Sequence, residues 1–220
     1  MVFPVAGTLA PKACAPDHSS PMPPAPSLTP EIKALDQPTA RAMVQAMLDD
    51  VEGNWLIRTP TPTQEQLQWN RRADHTVSIC GAMNSVLGSP LPIDNCIACF
   101  VAGAPIGFML IDLDCHLSPW PYIGLMVTHP GSQGAGGLLI EHAVQRSLET
   151  GSLGNLTLLA ENGDSHAAFE HLGFVPRSDG YLHLEPGTSA RWLHVEGRYQ
   201  LRQTAAEHTP LRADSTSPAR

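Results

Sequence analysis

The chain has 220 residues, enough for one domain with extra segments or two small domains. Apolar residues make up 42%, so a sizeable core is available. Acidic residues outnumber basic ones 21 to 13, a formal charge of -8, which argues against nucleic acid as a partner and favours cationic or neutral ones.

No apolar run approaches the ~18 residues of a membrane span. The start lacks a basic stretch and is cut by Pro4 and Pro11, so it makes a poor secretory signal. The expected location is cytoplasmic, with no membrane partner. The five cysteines (Cys14, Cys80, Cys96, Cys99, Cys115) have no framework spacing and read as reduced thiols. Cys96 and Cys99 form a C-x-x-C inside an apolar run. In a strand, positions three apart face opposite sides, so no metal is expected there.

Residues 1–34 are proline-rich and read as disordered, as do 203–220. Residues 35–202 read as one domain. Asp36 and Pro38 start a helix that ends at Gly53. A second helix begins near Thr63 and resumes, after a break, over Val77–Val86. CIACFVA and GFMLIDL, joined by GAPIG, read as a hairpin. After DCHLSPWP comes a third strand, YIGLMV. Next are the loop THPGSQGAGG and a helix from Leu138 to Thr150. Strand 155–161, a cap at Asn162-Gly163-Asp164, a short helix ending at Gly173, and late strands FVP, YLHLE and RWLHVEGRYQL complete the domain. The pattern is a mixed α/β arrangement around one sheet.

The most informative stretch is strand, glycine loop, helix over Tyr122–Leu148. Unpaired amides at a helix N-terminus attract a diphosphate, and small residues let it approach the backbone. A flexible connector whose glycines only set turn geometry is the plain alternative. A Walker loop is excluded, because no Gly-Lys-Ser/Thr is present. A dinucleotide site with Glu161 on the ribose stays open, although Thr128-His129-Pro130 intervene between strand and glycines. Coenzyme A is the third reading.

Residues 96–174 resemble the GNAT superfamily of N-acetyltransferases. The hairpin CIACFVAGAPIGFMLIDLD is similar to that family's second and third strands, and YIGLMVTHP to its fourth. SQGAGGLLIEHA resembles its pyrophosphate loop, and LTLLAENGDSHAAFEHLGF its fifth strand, asparagine and following helix. The two helices before residue 90 fit its first two, and RWLHVEGRYQL its last strand. The resemblance implies a mostly antiparallel central sheet with helices on both faces, acetyl-CoA as co-substrate and no metal. It implies transfer of acetyl to an amine on a small molecule or protein. The backbone of Leu125, Met126 and Val127 would pair with the pantetheine arm. Gln133, Gly134, Ala135, Gly136 and Gly137 would offer amides to the pyrophosphate. Asn162 would bond the arm, and Phe169 would lie near the thiol.

The usual catalytic groups are missing. Where the family often has a glutamate base this chain has Pro121, and where it often has a tyrosine acid it has Phe169. Asp112, Asp114 and His116 are candidate substitutes near an acceptor groove, with a solvated strand end as the plain alternative. His129 reads as a turn residue, His166 and His171 as exposed helix residues, and Trp120 as a pocket wall or a loop anchor. A GNAT-like regulatory protein that binds acyl-CoA without turnover, and a dinucleotide-binding oxidoreductase, stay open beside the enzyme. Lysine occurs only at 12 and 33. That scarcity and the Pro/Ser-rich start also resemble effectors delivered into another cell, while GC-rich codon use explains the scarcity as well.

Overall fold

The computed structural model describes residues 29–202 apart from 91, 92, 94 and 117. Nine strands and four helices follow in chain order: β1 (Glu31–Leu35), α1 (Gln37–Asp50), α2 (Gln64–Leu87), β2 (Cys96–Val101), β3 (Ala104–Asp112), β4 (Tyr122–Thr128), α3 (Ala135–Glu149), β5 (Leu156–Leu158), α4 (Gly163–His171), β6 (Val175–Pro176), β7 (Leu182–Leu184), β8 (Trp192–Val195) and β9 (Arg198–Leu201). One π-helical turn, Val51–Trp55, extends α1. The main sheet has the order β1-β2-β3-β4-β5-β7-β6. Only β4 and β5 run parallel; every other neighbouring pair is antiparallel.

Helices cover both faces, and the side-chain alternation of the strands divides the core in two. Ile97, Cys99, Met109, Ile111, Ile123, Leu156, Leu158 and Leu182 pack with Leu139, Ile140, Ala143 and Val144 of α3. Cys96, Ala98, Phe100, Phe108, Leu110 and Val127 pack with Ala40, Val44 and Met47 of α1 and Ala73, Cys80, Met83 and Leu87 of α2. Cys96 and Cys99 thus lie on opposite faces, as their spacing predicts. Burial pushes the thiols of Cys80, Cys96 and Cys99 up to about 11, so they stay protonated packing groups. The described residues contain no cluster suited to a metal and no helix able to cross a membrane.

Local chemistry explains the helix starts. Asp36 Oδ1 accepts Thr39 N–H at 2.8 Å, and Thr63 and Gln66 form a capping box. The predicted break in α2 is absent. Asn70 faces the preceding loop, accepting Ile57 N–H and donating to Ile57 O, while the buried stripe from Ala73 to Leu87 continues unbroken. Gly81 faces open space and interrupts no contact.

Three further sequence expectations change. Proline-rich composition predicts disorder over residues 1–34, yet Glu31–Leu35 is an edge strand paired with β2 from Glu31↔Phe100 to Leu35↔Cys96. Averaging over the proline-rich segment hid a short strand that needs a partner on one side only. Residues 1–28 and 203–220 lie outside the described residues. The late segment 191–201 is not one strand. Glu196 and Gly197 both take positive φ (50° and 77°), the geometry of a two-residue hairpin turn, and fold it into the separate ladder β8–β9. Strand β5 covers three residues rather than seven, because the chain leaves the sheet after Leu158.

Candidate functional site

Strand β4 carries a bulge. Leu110 pairs with Leu125 and Ile111 with Ile123, so Gly124 is an extra residue with no partner on β3. A bulge bends its strand and sharpens the twist. The parallel pairing to β5 comprises Tyr122↔Thr157 and Ile123↔Leu158 and stops there. From Gly124 to Thr128, β4 therefore runs on with its β5-side edge open, and Leu159, just past the parting, is left 59% exposed. An open strand edge presents unpaired N–H and C=O groups. Leu125 turns toward the α1–α2 face, Met126 toward α3, and Val127 is buried under the first two helices.

The C-terminal end of this open edge leads into the glycine loop. Gly134 is the N-cap of α3, in the left-handed region at φ 80°. Ala135, Gly136 and Gly137 form its first turn, so their amides have no partner within the helix. A β-carbon at Gly136 would meet only Met126 Cε at 3.8 Å and Thr128 Cγ2 at 4.0 Å, so the helix start lies against the end of β4. Gln133 and Gly134 are exposed, whereas Ala135 is buried.

The loop is pinned rather than flexible. His129 Nδ1 accepts Gly131 N–H at 3.1 Å, so the ring proton sits on Nε2, which faces Asp50 Oδ2 at 3.2 Å. Trp55 Nε1 donates to the same oxygen at 2.9 Å, and the indole meets the His129 ring edge-on at 4.4 Å and stacks on Trp69. Ser132 closes the turn by donating N–H and Oγ–H to His129 O. Both His129 nitrogens are engaged, so this residue holds the turn and is no free base.

Asn162 is the N-cap of α4. Its Oδ1 accepts Ser165 N–H at 2.9 Å, and its Nδ2 lies 3.4 Å from His75 Nδ1 on α2. Glu161 lies 3.6 Å from the same His75 nitrogen. Phe169 packs edge-on against Phe174 at 5.5 Å and joins the core under α4.

A cavity of about 180 Å³ lies beside the parting of β4 and β5, lined by Cys115, Ser118, Pro119, Tyr122, Thr157, Asp179, Tyr181 and His183. Tyr122, Thr157 and His183 occupy one row across β4, β5 and β7. They alternate with the residues under α3, so they face the other side of the sheet. The loop after β3 folds over them: Ser118 Oγ–H donates to Thr157 Oγ1, and Trp120 packs on His183 at 5.1 Å. Asp114 and His116 are exposed on that loop and do not line the cavity; Cys115 and Ser118 do. Asp114 N–H is spent on Asp112 Oδ1 within the turn. Sequence reasoning found the loop and missed the register of its side chains. It also missed Asp179, Tyr181 and His183, which reach the site only through β7 pairing with β5.

Only one strand pair is parallel, and antiparallel strands follow it. A doubly wound dinucleotide fold needs a parallel sheet, so that reading loses its frame.

No protein-family profile and no curated protein matches the sequence. Among solved structures, the chain is similar to the PaiA N-acetyltransferase of Thermoplasma acidophilum in complex with coenzyme A, with 13% identity, 70% of this chain and 96% of that one covered, and a TM-score of 0.41. It is similar to a GNAT-family acetyltransferase of Bacillus cereus, with 11% identity, 80% and 99% covered, and a TM-score of 0.40. A third match is a chain of an AtaT–AtaR complex bound to DNA, with 17% identity, 70% and 93% covered, and a TM-score of 0.39. Likenesses this distant carry no argument about activity, and they do not extend to the exclusion of nucleic acid that the acidic composition favours. By its own strand order and glycine loop, in the sequence order that the resemblance implied, the fold is GNAT-like.

Proposed function

We propose that the chain is an acetyl-CoA-dependent N-acetyltransferase acting on an amine. The observation that carries this is the open edge of β4, Gly124–Thr128, running straight to the free amides of Ala135, Gly136 and Gly137. A ligand with amides along an extended arm suits the edge as an added strand. A diphosphate at the end of that arm suits the helix N-terminus, where the dipole supplies positive potential without a lysine. Coenzyme A combines the two, and Leu125, Met126, Val127, Gly134 and Gly136 are the residues that would hold it. When bound, acetyl-CoA supplies an activated acetyl thioester. The chain's part is to orient that arm along β4, to exclude water with the apolar residues beside it, and to present the acceptor from the adjoining cavity.

One observation favours a second reading, an acyl-CoA-binding protein without turnover. Pro121 has no proton to exchange, and Phe169 is spent on packing against Phe174. Calorimetric titration with acetyl-CoA and with NAD, followed by a thiol-release assay on a panel of amines, tests both. Acetyl-CoA binding with amine-dependent thiol release supports the enzyme. Binding without release from any amine selects the second reading, and binding of NAD alone overturns both.

A further inference from the structure

The main sheet ends in β1 on one side and β6 on the other. Strand β6 has two residues, whereas β1 has five and, among the described residues, a strand partner on one side only. We propose that the outer edge of β1 is an interface between two copies of this chain, which pair antiparallel about Ile32 so that Glu31 of each faces Lys33 of the other.

The neighbouring ladder fixes which backbone groups point outward. Ile111 N–H donates to Asn95 O, so the backbone of Asn95 faces β3 and, by alternation, that of Cys96, Ala98 and Phe100 faces β1. Their partners on β1 are Leu35, Lys33 and Glu31. The N–H and C=O groups of Ile32 and Ala34 therefore point away from β2. Such an edge is a template for a further strand.

Charge selects the occupant and the register. A two-fold antiparallel pairing through these outward groups can centre on residue 31, 32, 33 or 34. Centring on 31 opposes two glutamates, and centring on 33 opposes two lysines; like charges directly opposite destabilise a ladder. Centring on 34 sets Lys33 against Leu35 and Glu31 against Gln37, which already belongs to α1. Centring on Ile32 alone opposes Glu31 and Lys33, twice by symmetry, with reciprocal hydrogen bonds between the two Ile32 residues. Beyond them, Ala34 meets Pro30, which lacks an N–H but has the carbonyl that Ala34 N–H needs. Glu31 and Lys33 are 60% and 49% exposed and already pair at 2.9 Å within the chain, with Lys33 over the Phe100 ring. A second copy joins them into a network of four charges. Ile32 is only partly buried on the α3 side, and its twin covers it further. An edge that is its own complement is what a two-fold dimer requires.

The test is sedimentation velocity of the full chain over a concentration series. Wild type should show a monomer–dimer equilibrium. Glu31→Lys and Lys33→Glu each oppose like charges in this register, so each should weaken self-association at least about tenfold. Mixed in equal amounts, the two variants should pair with each other, because every opposed couple is again of opposite sign. The double variant Glu31→Lys/Lys33→Glu should dimerise like wild type. Strands β2 and β3 separate β1 from β4, so acetyl-CoA affinity should be the same in all of them. A wild type that stays monomeric at every concentration overturns the proposal. A dimer that both single variants keep, or one that they lose and the mixture does not restore, overturns it too.

Discussion

Trp55 lies so close to Gly131 that a β-carbon there would come within 2.6 Å of the indole's Cζ3 and Cη2. The indole has little freedom to retreat, because it stacks on Trp69 and donates to Asp50. The turn after α1 therefore clamps the loop that feeds α3, and the clamp depends on a residue with no side chain.

Gly131→Ala should break this clamp. Overpacking costs about 1–3 kcal/mol. For a domain of this size that lowers the Tm by about 2–10 °C. Acetyl-CoA affinity should fall as well, because the amides of Ala135–Gly137 lose their support. An unchanged Tm would show that the indole moves aside freely.

Gly136→Glu separates binding from folding. The site has room for a side chain, and glutamate in the first turn of a helix is favoured by propensity and dipole. Stability should hold or rise slightly. The added negative charge opposes a diphosphate at those amides, so the Kd for acetyl-CoA should rise more than about 100-fold, a change of ~2.7 kcal/mol. Full affinity in a folded variant removes the loop from the binding site.

Asp50 gives a pH signature. Burial pushes its carboxyl up, but hydrogen bonds from Asn54, His129 and Trp55 outweigh that and hold it below the ordinary 3.8. A group lowered in the folded state adds stability above its unfolded value, and that contribution is lost as pH falls through the folded one. Asp50→Asn should therefore be less stable than wild type at pH 7, and the gap should close below about pH 3.8. Urea midpoints at pH 7, 4 and 3 measure it. A gap that stays constant means the residue acts through packing and neutral hydrogen bonds alone.

Helix α4 has no buried residue, and Phe169 and Leu172 at its end are what pack on the α3 side of the core. Phe169→Ala should release the helix. A fully buried Phe→Ala change costs about 3–5 kcal/mol, and half-burial brings this to about 1.5–2.5. Hydrogen exchange should rise over Ala167–His171 well before the rest of the domain opens. Uniform protection would show that the cap at Asn162 and its contact with His75 suffice.

The signals legible along the chain were local ones. Asp36 and Thr63 begin helices because a cap needs only the next three residues. The C-x-x-C split across two core layers follows from strand alternation alone. The glycine loop between strand and helix, and with it the kind of ligand to consider, stood in residues 128–140. What the chain order concealed depended on partners distant in sequence. Gly124 becomes a bulge only when β4 meets Leu110 and Ile111 on β3, and that bulge accompanies the parting of β4 from β5. His129 becomes a structural latch only because Asp50, 79 positions earlier, lies beneath it. Asp114 and His116 looked chemically apt, but the turn of their loop points Cys115 and Ser118 inward instead. Asp179 and His183 meet Tyr122 because β7 pairs with β5, a register set by core packing of Leu182 and Leu184 and by nothing in their own neighbourhood. Short-range hydrogen bonds and periodicity are written locally, whereas a site assembled across three strands exists only once the burial of the whole sheet has chosen the pairing.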